Sequence, residues 1–175
     1  MCPFRKSLSA VLLVFSVLSL LPAFANSFDK GFSAYQRGDY SEALRVWRPL
    51  AEQGHVEAQF TLGSMYAKGE GVRRDPAVAA RWYHKAAEAG HVAAQNNLGI
   101  MYENGWGVRR DLAKALKWYR KAADAGYAKA QYNLGIMYAI GLGVPQDKVE
   151  AARWLRKAAQ QGHRQARSAL RFFVR

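Results

Sequence analysis

Residues 94–127 read AQNNLGIMYENGWGVRRDLAKALKWYRKAADAGY. The same pattern occurs as AQFTLGSMYAKGEGVRRDPAVAARWYHKAAEAGH at 58–91 and as AQYNLGIMYAIGLGVPQDKVEAARWLRKAAQQGH at 130–163. The three copies align without a gap at a step of 36 residues, which brings Gly63, Gly99 and Gly135 into register, as well as Trp82, Trp118 and Trp154 and also Gly90, Gly126 and Gly162. A fixed period of this length means stacked supersecondary units, each unable to bury its apolar face alone.

Each unit spells two helices. In the second, Ala79, Trp82, Tyr83, Ala86 and Ala87 fall at i, i+3, i+4, i+7 and i+8, one apolar stripe of a helix. The stripe returns as Ala115, Trp118, Tyr119, Ala122 and Ala123, as Ala151, Trp154, Leu155, Ala158 and Ala159, and upstream as Ala43, Val46, Trp47, Leu50 and Ala51. Asp75, Asp111 and Asp147 stand where an N-cap belongs, with Pro76 in the favoured first helical position. Asp147 with Glu150, and Asp39 with Glu42, have the spacing of a capping box. Gly54, Gly90, Gly126 and Gly162 follow each second helix, where a left-handed residue is wanted. Gly63, Gly99 and Gly135 fall inside the first helices at a cost of about 1 kcal/mol each against alanine. Close approach of a neighbouring helix backbone is the simplest reason to repeat that cost. The fold class is therefore all-α.

The ends differ from the middle. In front, AYQRGDYSEALRVWRPLAEQG keeps the second helix but has only Gly38 before Asp39, a loop five residues shorter than Gly69 to Asp75. Behind, Ala166 to Val174 aligns with a first helix, and Arg171 stands where Gly135 stood. Residues 1–25 have the layout of an export signal: Arg5-Lys6, an apolar stretch from Leu8 to Leu21, Pro22, then Ala23-Phe24-Ala25. Cleavage is expected between Ala25 and Asn26, leaving no transmembrane anchor. The expected division is 1–25 signal, 26–55 degenerate first repeat, 56–91, 92–127 and 128–163 full repeats, and 164–175 a capping helix. The chain carries +13; residues 1–25 hold Arg5 and Lys6 and no acid, so the remainder carries +11. Such a charge favours anionic partners. The single cysteine, Cys2, precedes the cleavage site, so the mature chain has no thiol.

The pattern AQxxLGxxYxxGxGVxxDxxxAxxWYxKAAxxG resembles the Sel-1-like repeat, a relative of the tetratricopeptide repeat, over about residues 28–175. The resemblance implies a right-handed αα-hairpin superhelix, a scaffold, adaptor or regulatory role in protein–protein interaction, and frequent residence in the envelope or periplasm of Gram-negative bacteria. Leu155 departs from the tyrosine of the WY pair, and Pro145-Gln146 from the two loop arginines. Cysteine-rich members of the family have been associated with penicillin binding and suggest a hydrolase. Their cysteines are missing here.

No chemistry is written into the repeats. His55, His91 and His163 share a position that Tyr127 also fills, which favours a packing role at the helix connection over metal binding. The loops GEGVRRD, GWGVRRD and GLGVPQD lack the lysine and the preceding strand of a phosphate loop. No catalytic residue, metal site or cofactor is expected. Aromatics at core positions make a poor base-stacking platform, so nucleic acid is not an expected partner.

Two surface ladders remain. By the tetratricopeptide resemblance the first helices line the concave face, where Phe60, Thr61 and Ser64 correspond to Asn96, Asn97 and Ile100 and to Tyr132, Asn133 and Ile136. Mixed apolar and amide groups in a groove suit a helix or extended peptide of another envelope protein. The second helices carry Arg81 and Lys85, then Lys117 and Lys121, then Arg153 and Lys157. Such a stripe is either a solvated face or an attractor of acidic protein, anionic glycan or lipid headgroups. Trp106 and Leu142, between the loop glycines, are either exposed contacts or tucked against the next unit.

Overall fold

The computed structural model describes residues 27–173. The expected cleavage site at Ala25 and Asn26 lies outside the described residues. Nine helices and no strands occur among them. After α1 (27–36) come α2 (Tyr40–Glu52), α3 (Val56–Lys68), α4 (Pro76–Glu88), α5 (Val92–Asn104), α6 (Leu112–Asp124), α7 (Ala128–Ile140), α8 (Lys148–Gln160) and α9 (Arg164–Phe173). Each helix from α2 on packs against the next, and α7 also touches α9, so four hairpins stack with α9 unpaired at the end. The fold is an all-α repeat superhelix.

Local chemistry sets every boundary. The Oδ1 atoms of Asp39, Asp75, Asp111 and Asp147 accept from first-turn N–H groups of α2, α4, α6 and α8 at 2.9–3.0 Å. The expected reciprocal half of the capping boxes does not form, because Glu42 and Glu150 turn outward to Arg45 and Arg153 instead. At the other end of the second helices, His55, His91, Tyr127 and His163 donate N–H groups to Leu50, Ala86, Ala122 and Ala158 at 2.9–3.1 Å. This six-to-one bond closes a Schellman motif around glycines at φ of +87° to +95°. Nothing lies within 4 Å of where a Cβ of Gly54, Gly90, Gly126 or Gly162 would sit, so the backbone conformation alone demands glycine there.

The mid-helix glycines have a different reason from the expected one. A Cβ on Gly63 or Gly99 would sit 2.6 Å from the ring of Tyr83 or Tyr119, and on Gly135 2.8 Å from Leu155. A side chain of the second helix, rather than a neighbouring backbone, fills the notch. Gly31 of α1 gives the same room to the indole of Trp47, at a site the repeat pattern does not mark.

The core runs the length of the stack through the expected alanine stripes, with Trp47, Tyr119, Leu62, Leu98, Leu134 and Leu155 fully buried. Trp118 and Trp154 are buried, whereas Trp82 is only half-buried. A polar rivet joins consecutive hairpins: Gln59, Gln95 and Gln131 of the AQ pairs each donate Nε2 to the carbonyl of Ala51, Ala87 or Ala123 at 3.0–3.1 Å.

Candidate interaction surface

The first-helix face is built from α3, α5, α7 and α9, and three of its repeat positions were expected to be open. They differ. At the first, Phe60 stacks on His91 with ring centroids 4.2 Å apart and Tyr132 stacks on His163 at 4.7 Å. Asn96, between them in register, is 2% exposed and accepts from Asn133 Nδ2 at 3.0 Å. Asn96 is thus a buried bridge between α5 and α7 and not a groove-lining surface group, because the stack brings Asn133 over it. At the second position, Thr61, Asn97 and Asn133 are half-buried. At the third, Ser64, Ile100 and Ile136 are half-buried too. Burial pushes the Tyr83 phenol up, and the neighbouring side chains of Asn97 and Ser64 draw it down. The Tyr119 phenol, buried and donating to Glu103 Oε2 at 2.6 Å, is pushed up further by burial first and the carboxylate second. Asn97 and Ile100 line a cleft of about 250 Å³ with Tyr83, Met101, Arg74 and Trp106.

Trp106 is 53% exposed, whereas Leu142 at the same repeat position packs into the core of the third unit. Trp106 is thus the exposed alternative, while Leu142 tucks against its own and the preceding unit and not against the next one.

On the opposite face, the basic ladder is ordered by the tryptophans. The Nζ atoms of Lys85, Lys121 and Lys157 lie 4.5–4.6 Å from the ring centroids of Trp82, Trp118 and Trp154, one helical turn back. Arg153 also stacks on Trp154, at 4.4 Å, while pairing with Glu150. Arg81 and Lys117 are exposed. Cation–π contacts of this exposure stabilise by about 0.5–1 kcal/mol, so these cations have a structural use as well. The loop arginines divide similarly. Arg74 and Arg110 donate Nε to the carbonyls of Ala67 and Glu103 at 3.1 and 2.9 Å, and Gln146 does the same for Ala139 at 2.8 Å.

The shared histidine position is explained by capping. Nδ1 of His55, His91 and His163 accepts from the N–H of Ala58, Ala94 and Ala166 at 3.1–3.3 Å, while Tyr127 makes no side-chain cap. Burial, then the charge of Lys129, holds the His163 pKa below its usual value. Among the described residues no three His, Cys, Asp or Glu side chains gather as a metal site.

Stacked helical hairpins whose repeated polar residues are caps and rivets, and whose variable residues face outward, define a repeat scaffold. The Sel1 repeat pattern matches residues 56–91, 92–127 and 128–163, and the chain belongs to the Sel1 repeat family. Sel1 repeats are protein-interaction modules, typically non-catalytic. Among solved structures the chain is similar to a Sel1 repeat protein from Oxalobacter formigenes (37% identity, TM-score 0.75, 79% of this chain and 57% of that one). It is also similar to c5321, described as a protective antigen of uropathogenic Escherichia coli displaying an SLR fold (40%, 0.78, 82% and 32%). The cysteine rich protein B of Helicobacter pylori shares the fold at 24% identity and TM-score 0.59, over 74% of this chain and 93% of that one. An exopolysaccharide production negative regulator of Rhizobium leguminosarum bv. viciae is 44% identical over 48 residues, which are 27% of this chain and 18% of the regulator. Its Rhizobium meliloti counterpart is 47% identical over 45 residues, 26% and 17%. The chain thus spans under a fifth of the curated relatives it matches. No helix among the described residues is long and apolar enough to cross a membrane.

Proposed function

We propose that this protein is a non-catalytic adaptor or regulator that acts by binding another protein in the bacterial envelope, after export directed by residues 1–25. The observation that carries this is the contrast within each unit. Caps, rivets and notches repeat, while the rows Ser64, Ile100 and Ile136, and Thr61, Asn97 and Asn133, each differ between the first copy and the other two on a continuous face. A framework held constant beneath a varied outward row supplies recognition and no reactive group. The short match to two regulators of exopolysaccharide production supports a regulatory use of the module.

A photo-crosslinking amino acid placed at Thr61 in the living cell tests this. A stoichiometric protein adduct is expected, lost when Asn97 and Asn133 are both replaced by alanine in a variant with unchanged circular dichroism. The recovered protein should begin at Asn26. Absence of any protein adduct from the whole first-helix face would overturn the reading.

A further inference from the structure

Two gradients run along the stack and meet at its C-terminal end. The first is charge. Residues 27–105 contain nine Lys or Arg and nine Asp or Glu, whereas residues 106–173 contain fourteen and four. Three of those four carboxylates are engaged: Asp111 and Asp147 cap α6 and α8, and Glu150 is held by Arg153 and by the indole N–H of Trp154. The cationic excess of the whole described chain therefore belongs to one half of it.

The second gradient is apolarity on the first-helix face. One repeat position reads Ser64, Ile100, Ile136 and then, in α9, Phe172, which is 80% exposed. Between α7 and α9 that face opens into a cleft of about 730 Å³, walled by Tyr132, Ile136, Phe172 and Phe173 with Ser168 and Arg164 at its margin. On α9 the spacing i, i+3, i+7 puts Arg164, Arg167 and Arg171 on one ridge, with Phe172 on the flank beside the cleft. The helix contains no acid.

We propose that this terminal cleft is the main docking site of the scaffold and that its occupant is an acidic amphipathic segment of a partner protein. Apolar side chains of that segment rest on Tyr132, Ile136 and Phe172, and its carboxylates face Arg164, Arg167 and Arg171. The proposal rests on the protein-interaction function above and adds its place and chemistry. The coupling of apolar walls to a carboxylate-free arginine ridge selects a peptide. The aliphatic Ile136 beside the rings gives the wall a shape that suits Leu, Ile or Phe side chains. A bilayer needs a free apolar helix face, whereas Ala166, Ala169, Leu170 and Phe173 of α9 are packed on the stack.

The experiment pans a random peptide display library on the full-length protein and measures the selected peptides by fluorescence anisotropy. Selected sequences should combine Asp or Glu with Leu, Ile or Phe. Their Kd should rise about tenfold between about 50 and 300 mM NaCl. Phe172→Ser should weaken binding about tenfold, and Arg164→Glu with Arg171→Glu about a hundredfold. Arg81→Glu, an exposed cation of the charge-balanced half, should change nothing. All these side chains are exposed, so an unchanged melting curve is expected of each variant. Neutral or basic selected sequences, salt-independent binding, or failure to select peptides by a protein that instead sediments with phosphatidylglycerol vesicles would each overturn the proposal. Peptides that lose binding on Asn97→Ala but not on Phe172→Ser would overturn it while leaving the protein-interaction function intact.

Discussion

Adding one side chain at an exposed helix end should stabilise this protein from the inside. The riveting amides of Gln59 and Gln95 donate their N–H groups, but their Oε1 atoms are buried without a partner. In the third unit the equivalent atom, Oε1 of Gln131, accepts from Gln161 Nε2 at 2.8 Å, and Gln161 also donates to the carbonyl of Gly126 at 2.8 Å. The residues 36 and 72 positions before Gln161 are Ala125 and Ala89. All three are helix C-caps with nearly the same backbone, φ −74° to −82° and ψ 4° to 8°. Glutamine at 125 therefore starts from the geometry that already reaches the orphan atom in the third unit. A buried unsatisfied acceptor costs about 1–3 kcal/mol, and ordering a glutamine side chain costs about 1.5–2 kcal/mol when fully buried and less at an exposed cap. Ala125→Gln should gain about 0.5–1.5 kcal/mol, or about 1–6 °C in Tm for a chain of this size. Ala89→Gln should add independently, since the two sites share no partner. Gln161→Ala should cost a similar amount by creating a third orphan. The assay is urea denaturation followed by circular dichroism. If Ala125→Gln is neutral or destabilising while Gln161→Ala costs nothing, the Oε1 atoms are not unsatisfied in solution and the reasoning fails.

Gly99→Ala should lose about 1–3 kcal/mol despite the better helix propensity of alanine, because its methyl group meets the buried ring of Tyr119 at 2.6 Å and disturbs the bond to Glu103; a raised Tm would refute it. The His163 pKa is depressed in the folded chain, so the unfolded state binds the proton more readily. Its contribution is complete above the unfolded value near 6.5 and declines as pH falls through the folded value. His163→Asn, which caps without titrating, should therefore flatten the fall in Tm between about pH 7 and 5; an unchanged slope would count against this. Arg74→Ala should cost about 0.5–1.5 kcal/mol through the carbonyl of Ala67, whereas Arg73→Ala should stay within about 0.5 kcal/mol. Equal effects in chemical denaturation would show the two arginines to be equivalent surface charges.

The sequence by itself determined the repeat, the helices and their ends. Those signals are local: a 3.6-residue stripe, an aspartate before it, and a glycine after it act over one or two turns, and each recurs three times in register. The alanine and tryptophan stripes named the core for the same reason. Only the stack of hairpins decided which outward positions stay open. Asn96 is identical in type to Asn97, yet one lies under Asn133 of the next hairpin and the other beside a cleft. Trp106 and Leu142 share a repeat position, and their surroundings in the stack leave one exposed and the other partly buried. The roles of the histidines as caps, of Arg74 and Gln146 as loop ties, and of Tyr83 and Tyr119 as the reason for mid-helix glycine all depend on atoms far away along the chain or on backbone directions that composition does not carry. Periodicity fixes which residues share a helix face; burial of a given face is fixed by the helix that lands on it, and that is a property of the packed stack.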